Sequence, residues 1–313
     1  SAYQRDSLKA SYLAKAGINQ GILQLKEDAI ASPSYNSLKS IWSTGVDPLT
    51  SEPLFEDVEI RAGSGEKFTV RYPYDHENYL CMMDEERKIN INKAIEPAFQ
   101  PLGQLILSRL FDFAGVRDAD ALKNLVVQWI APASDGDEDP DKIFKNSDLQ
   151  AIEELLPILE FFYRDESAPS LKAKEIYGKI KDLITVYGDG KININTVDKT
   201  TLDLLIQSCK DKIIKDNPES PMPTDLGELS IKIKEYLGRN GYFTVTALVN
   251  PVDLGLSTNF SNIISELQSI VNVKSNNFRI NSTGEITGKS ISKTITCIFS
   301  RSPANKIIYW HEN

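Results

Sequence analysis

Apolar residues fall at every second position near both ends of this 313-residue chain, while the stretch between follows helical spacing. Val58, Ile60 and Ala62 alternate with Asp57, Glu59 and Arg61. After GSGE, Phe68, Val70 and Tyr72 alternate with Lys67, Thr69 and Arg71. Such alternation puts one face of a strand in a core and the other in water, and the glycine-rich break predicts a hairpin. A third strand is expected over 79–83. Past residue 274 the period of two returns. Phe278 and Ile280 open a strand that STGE is expected to turn. Ile291, Ile295, Cys297 and Phe299 share one face of the next, and 306–310 form the last. Between the two ends, Leu202, Leu205, Ile206 and Cys209 recur at helical intervals, as do Ile263, Ile264, Leu267, Ile270 and Val271. In TDLGEL, Asp225 stands as a helix cap with Glu228 three residues on. Strands at the two ends need each other to complete a sheet, so the simplest architecture splices the helical block between them. The ends of an inserted block must lie close together. The expected class is α+β: a long N-terminal helix plus an antiparallel sheet, with a large all-α domain inserted between strands. The expected division is 1–92, 93–273 and 274–313.

Residues 3–30 read as one long helix. Leu8, Tyr12, Leu13, Ile22, Leu23 and Leu25 supply apolar surface. Ala10, Ala14, Gly17 and Gly21 form a second stripe, at intervals of four, three and four, which places them on one face. Small residues let another backbone approach closely. That backbone is either the protein's own sheet or a neighbouring helix.

The net charge of −9, with no dense cluster of lysine and arginine, opposes nucleic-acid binding. No apolar run is long enough to span a bilayer. The chain starts Ser-Ala and enters a helical pattern at once, which reads as a trimmed fragment. Two histidines and three cysteines, none in a C-x-x-C pair, leave little for transition-metal chemistry. No nucleophile elbow, P-loop or H-E-x-x-H is present, so no enzyme is expected. Acidic pairs of the glycosidase kind are always available among 44 Asp and Glu residues and carry little information.

The word KININ occurs at 88–92 and again at 191–195. Each copy puts isoleucines on one face of an extended segment and asparagines on the other, and each runs into a helical pattern. Asn and Thr cap helix starts well, so both words read as short strands feeding capped helices. The stretches DEERKININKA and VYGDGKININTVDKTTLDLL resemble two signature segments of the type II secretion minor pseudopilin K family, also called general secretion pathway protein K. ASYLAKAGINQGILQL is similar to the periplasmic half of that family's N-terminal helix, and KNSDLQAIEELLPI to its segment after a tryptophan, here Trp129. FRINSTGEI, KTITCIFSRS and KIIYWHE resemble its closing strands.

The resemblance implies a pilin-like body carrying the inserted helical domain. It implies a periplasmic subunit anchored to the inner membrane by an N-terminal helix absent from this sequence. Its place would be the tip of the pseudopilus, with minor pseudopilins I and J, in an assembly that pushes or gates exported proteins. Ala10, Ala14, Gly17 and Gly21 are then the expected contact with partner helices. The alternative is a minor pilin or adhesin of a related type IV pilus system. Some members of the family bind calcium in the inserted domain. Here Asp135, Asp137, Asp139 and Asp141 alternate in an acidic loop, and carboxylates suit calcium. The loop is not an EF-hand: Pro140 stands at its sixth position and Asn146 at its twelfth. The family's acidic residues around the tryptophan are replaced by Gln128, Ala131 and Ala133, so its calcium site does not carry over directly; the four aspartates are either calcium candidates or a solvated acidic loop. Asp189, between two glycines, reads as a turn former. An oxidising periplasm permits disulfides, and Cys81 and Cys297 both fall in the sheet domain, while Cys209 reads as a buried thiol.

Overall fold

Strands from both ends of the chain share one sheet in the computed structural model, which describes residues 2–72, 81–131, 145–244, 251–303 and 305–313. The chain opens with helix α1 (Ala2–Ala31), the single turn α2 (Ile41–Thr44) and strands β1 (Val58–Glu59), β2 (Glu66–Val70) and β3 (Met83–Asp84). Its middle carries β4 (Ile89–Asn90), α3 (Ile91–Ala94), α4 (Leu102–Ala114), α5 (Ala119–Ile130), α6 (Leu155–Phe162) and α7 (Pro169–Ile180). There follow β5 (Ile184–Thr185), β6 (Ile192–Asn193), α8 (Lys199–Asp216), α9 (Gly227–Asn240), α10 (Ser261–Ile270) and β7 (Val271–Asn272). Strands β8 (Asn277–Ile286), β9 (Ser292–Ser300) and β10 (Lys306–Glu312) close it. Two compact units result. The first holds Ser1–Glu85, Asn240–Thr244 and Val273–Asn313, and the second holds Glu86–Arg239 and Val245–Asn272.

In the first unit the sheet runs β1-β2-β8-β9-β10, antiparallel throughout, with β3 also paired to β8. The hairpin expected around GSGE is present, with Val58 opposite Phe68 and Glu59 opposite Lys67. β1 is shorter than its alternation suggested, and Ile60 lies exposed beyond it. Of the third expected strand, 79–80 lie outside the described residues, and β3 begins at Met83. STGE does not turn the chain: it lies inside β8, and the turn comes at Gly288, whose φ is +78°. α1 covers one face of the sheet. Leu13, Ala14, Ile18 and Leu25 pack there with Phe68, Val70, Ile280, Ile295, Cys297 and Phe299. Trp42 meets Phe278 edge-on at 5.1 Å. A buried polar knot closes the end of this core. The Arg301 guanidinium donates to the Leu25 carbonyl at 3.2 Å and to Asn36 Oδ1 at 3.0 Å, and pairs with Asp28 at 3.4 Å. Burial nevertheless pushes the Asp28 carboxyl up. The return at 240–244 is fixed to this unit by Tyr242, stacked on Tyr35 at 3.7 Å, and by Ser37 Oγ donating to the Gly241 carbonyl.

The second unit explains the repeated word. In each copy the same Ile-Asn pair forms a two-residue parallel strand: β4 pairs with β5, and β6 with β7. The asparagines satisfy the main chain at these short ladders. Asn90 Oδ1 accepts from Lys93 N–H and so caps α3, while its Nδ2 donates to the carbonyls of Tyr187 and Gly188. Asn92 bonds the Leu149 main chain in both directions, each at 2.9 Å. Asn193 Oδ1 accepts from Asn195 N–H. The cap of α8 comes from outside the word: Asp198 Oδ1 accepts from Thr201 N–H at 2.7 Å, and Oδ2 pairs with the buried Arg87 at 3.0 Å. Asp189 Oδ1 accepts from Lys191 N–H between Gly188 and Gly190, both at positive φ, which makes it the turn former. Around these ladders α4 packs on α8, joined by Arg109 to both oxygens of Asp211. α8 packs on α10, where Lys212 meets Glu266 at 2.8 Å. Leu202, Leu205, Ile206, Cys209, Ile263, Ile264 and Leu267 are all buried, as their spacing required.

Candidate functional site

The stripe of small residues on α1 faces inward. Ala10 and Ala14 are wholly buried, and Gly17 and Gly21 are buried with them. A Cβ on Gly17 would stand 2.2 Å from Ser282 Oγ and 2.7 Å from Phe68 Cδ2. One on Gly21 would stand 3.1 Å from Ile280 Cγ2. The sheet answers with its own glycine: a Cβ on Gly284 would lie 2.1 Å from the Ala10 carbonyl oxygen and 2.5 Å from Ala14 N. Helix and strand backbones therefore meet with no side chain between them. Ala10, Ala14, Gly17 and Gly21 seat α1 on the protein's own sheet, which corrects their expected role as the contact for partner helices. A group already covered by its own strand has no surface left to offer.

The opposite side of α1 does have such a surface. Arg5, Leu8, Tyr12, Lys15, Asn19, Leu23, Lys26 and Ile30 follow one another at steps of three or four, so they form a single seam along the helix. Seven steps over 25 residues average close to the 3.6-residue turn, so the seam scarcely drifts around the axis. Its apolar members stand in water: Leu8 is 57% exposed, Tyr12 64%, Leu23 56% and Ile30 82%. Its charged members are Arg5, Lys15 and Lys26, all cations. Lys15 reaches Glu312 at 3.3 Å, and the Lys26 ammonium lies 5.8 Å from the centre of the Phe299 ring. Such an arrangement does no acid–base chemistry; it offers contact. A helical-wheel sorting of the sequence separates this seam from the inner face, because Leu13 and Leu25 fall with the glycines while Leu8, Tyr12 and Leu23 fall across from them. What the sequence lacks is which face the sheet takes.

The calcium candidates Asp135, Asp137, Asp139 and Asp141 lie outside the described residues. Among the described residues no group of three or more His, Cys, Asp or Glu side chains is placed to hold a metal ion. Cys81, Cys209 and Cys297 are free and buried, so Cys81 and Cys297 share the first unit's core without a disulfide. Burial pushes all three thiols up, which keeps them protonated and unreactive. No helix among the described residues is long and apolar enough to cross a membrane.

No protein-family model matches the sequence, and no curated protein sequence matches it. Among solved structures, the fold is similar to a chain in the crystal structure of the GspK-GspI-GspJ complex from the enterotoxigenic Escherichia coli type 2 secretion system. The superposition has a TM-score of 0.62 at 15% identity and covers 100% of this chain and 98% of the other. At that identity the likeness concerns the fold: this chain has a GspK-like α+β fold from end to end.

Proposed function

We propose that this chain is a minor pseudopilin of a type II secretion system, placed at the tip of the pseudopilus with minor pseudopilins I and J. The observation that carries the proposal is the GspK-like fold, matched over the whole of this chain and nearly the whole of the other. The exposed seam of α1 supports it, because a long helix with its outer face bare is suited to packing beside other helices. The bulk of the second unit supports the tip position. A pilin-type fibre packs its N-terminal helices at the core and its heads outside, and every subunit but the last must accept a neighbour stacked on it. A subunit carrying a further helical unit of this size is accommodated most simply where nothing stacks above. In this reading the body is periplasmic, and the membrane anchor is a helical segment preceding α1.

The test is to mix the protein with the soluble parts of the I and J subunits of the same secretion system and measure the mass of what forms. A ternary complex is the expected product. Leu23→Asp, which puts a charge on the seam at an exposed position, is expected to prevent it. No association at high micromolar concentration would overturn the tip assignment, and association with type IV minor pilins instead would move the protein to a pilus. Calcium at Asp135, Asp137, Asp139 and Asp141 is part of the same proposal: titration is expected to release or absorb heat that Asp137→Ala abolishes. Equal heats from both proteins would take the ion away from that loop.

A further inference from the structure

We infer that the helix seated on the α1 seam is acidic along its facing edge, with carboxylates set about ten or eleven residues apart and apolar residues between them. This rests on the reading of the seam as a helix contact and names the chemistry of the occupant. The seam runs 25 residues, about 37 Å at 1.5 Å per residue, without drifting around the axis. A loop or a compact head would cover part of it; a long, nearly parallel helix covers all of it. The charges are one-sided. A chain of net charge −9 presents Arg5, Lys15 and Lys26 on this seam and no carboxylate. The protein's own acids do little to neutralise them. Glu312 serves Lys15 at 3.3 Å, and Glu66 is taken by Lys9 at 2.7 Å, on the seam's flank. Asp6 lies 3.8 Å from Arg5 but is held at 2.6 Å by Lys289. Lys26 has no carboxylate within ion-pair distance among the described residues, only the Phe299 ring beneath it. Exposed Glu27 sits on the shoulder, one position round from Lys26. Docking a basic or neutral helix here would desolvate these cations without compensation, whereas aspartate or glutamate opposite them supplies it. Leu8 and Tyr12 on one side of Lys15, and Leu23 and Ile30 about Lys26, require apolar residues in the intervals.

Arg5→Glu with Lys26→Glu is the informative variant, because neither side chain holds the fold; Lys15 is left in place for its contact with Glu312. Its affinity for the soluble parts of the I and J subunits is measured beside wild type at 50 and 500 mM NaCl. Lys191→Glu, on an exposed turn of the second unit, is the control, and circular dichroism verifies that the variants are folded. Wild type is expected to bind at least tenfold more weakly at high salt. The double variant is expected to bind at least tenfold more weakly than wild type at low salt, with little further loss at high salt, and Lys191→Glu to behave as wild type. A complex that forms equally well with the double variant, or ignores salt, would overturn the acidic-edge inference and leave the pseudopilin reading standing. No complex with wild type would overturn both.

Discussion

Gly284→Ala tests whether the small-residue face of α1 is structural. The new Cβ would lie 2.1 Å from the Ala10 carbonyl oxygen, where real Cβ atoms keep at least 3.0 Å. The obstacle is helix backbone, which cannot rotate away, so α1 must lift from β8 by about 1 Å, a gap that forfeits a quarter to a half of each dispersion contact across it. Leu13, Ile18 and Leu25 are the large side chains α1 buries in this core. At about 2 kcal/mol each for burial, losing a quarter to a half of their packing costs about 2–3 kcal/mol. Gly17→Ala should behave differently. Its nearest clash is a serine hydroxyl, Ser282 Oγ at 2.2 Å, with Phe68 Cδ2 next at 2.7 Å. Removing a helical glycine returns about 1 kcal/mol of helix propensity. Gly17→Ala alone should therefore cost about 1–2 kcal/mol, in the range of overpacked cores, and Ser282→Ala in the same chain should recover part of it. Urea unfolding followed by tryptophan fluorescence reads this out, since Trp42 is fully buried in the first unit. The midpoint should fall with the slope unchanged. If both glycine variants keep wild-type stability but lose association with partner subunits, the stripe is a partner contact after all and the reasoning fails.

Two further outcomes follow from the second unit. Asp198→Ala removes both the cap of α8 and an ion-pair partner of Arg87, whose side chain is 3% exposed, and should cost about 2–3 kcal/mol in urea unfolding. Asp198→Asn keeps the acceptor for Thr201 N–H and should cost less; equal losses would mean that the cap contributes nothing beyond the ion pair. Lys234 donates to the Val197 carbonyl, and burial, with Arg87 close by, pulls its ammonium down to about 8. A folded pKa below the unfolded 10.5 penalises the protonated form in the native state. Its stabilising contribution is therefore complete above the unfolded value and is lost as pH falls toward 8. Relative to Lys234→Met, wild type should gain stability between pH 8 and 10.5, by about 3 kcal/mol as an upper bound. Parallel stability curves for the two proteins across that range would refute it.

The sequence by itself determined the kinds of elements and the way they are interrupted. Strand alternation at 66–70, 278–280 and 292–300 and helical spacing in 199–216 and 261–270 are local properties, set by which side chains recur on one face, and they appear in the structure where the periods place them, although β8 runs on through the STGE read as its turn. That strands from both ends share one sheet, as β2 and β8 do, followed from the same patterns, because half-buried strands at both ends must find each other; which strands pair did not. The repeated KININ could be read as strand and cap, but not that its strands are parallel two-residue ladders, since 184–185 carry no period of their own and Val271 continues the helical spacing of 263–270, although α10 ends at Ile270 and Val271 opens β7. Only the tertiary structure decided which face of α1 is spent. A row of alanines and glycines permits close approach by any backbone, and its spacing is the same whether that backbone is a strand of this chain or a helix of another. Gly284 settled the matter. Read along the chain it belongs to a turn signal, but in the sheet it is the one residue type that lets β8 lie against Ala10 and Ala14. The face left uncovered is the opposite one of the same helix, where Leu8, Tyr12, Leu23 and Ile30 stand exposed. Sequence periodicity reports that a face is apolar; only packing reports what covers it.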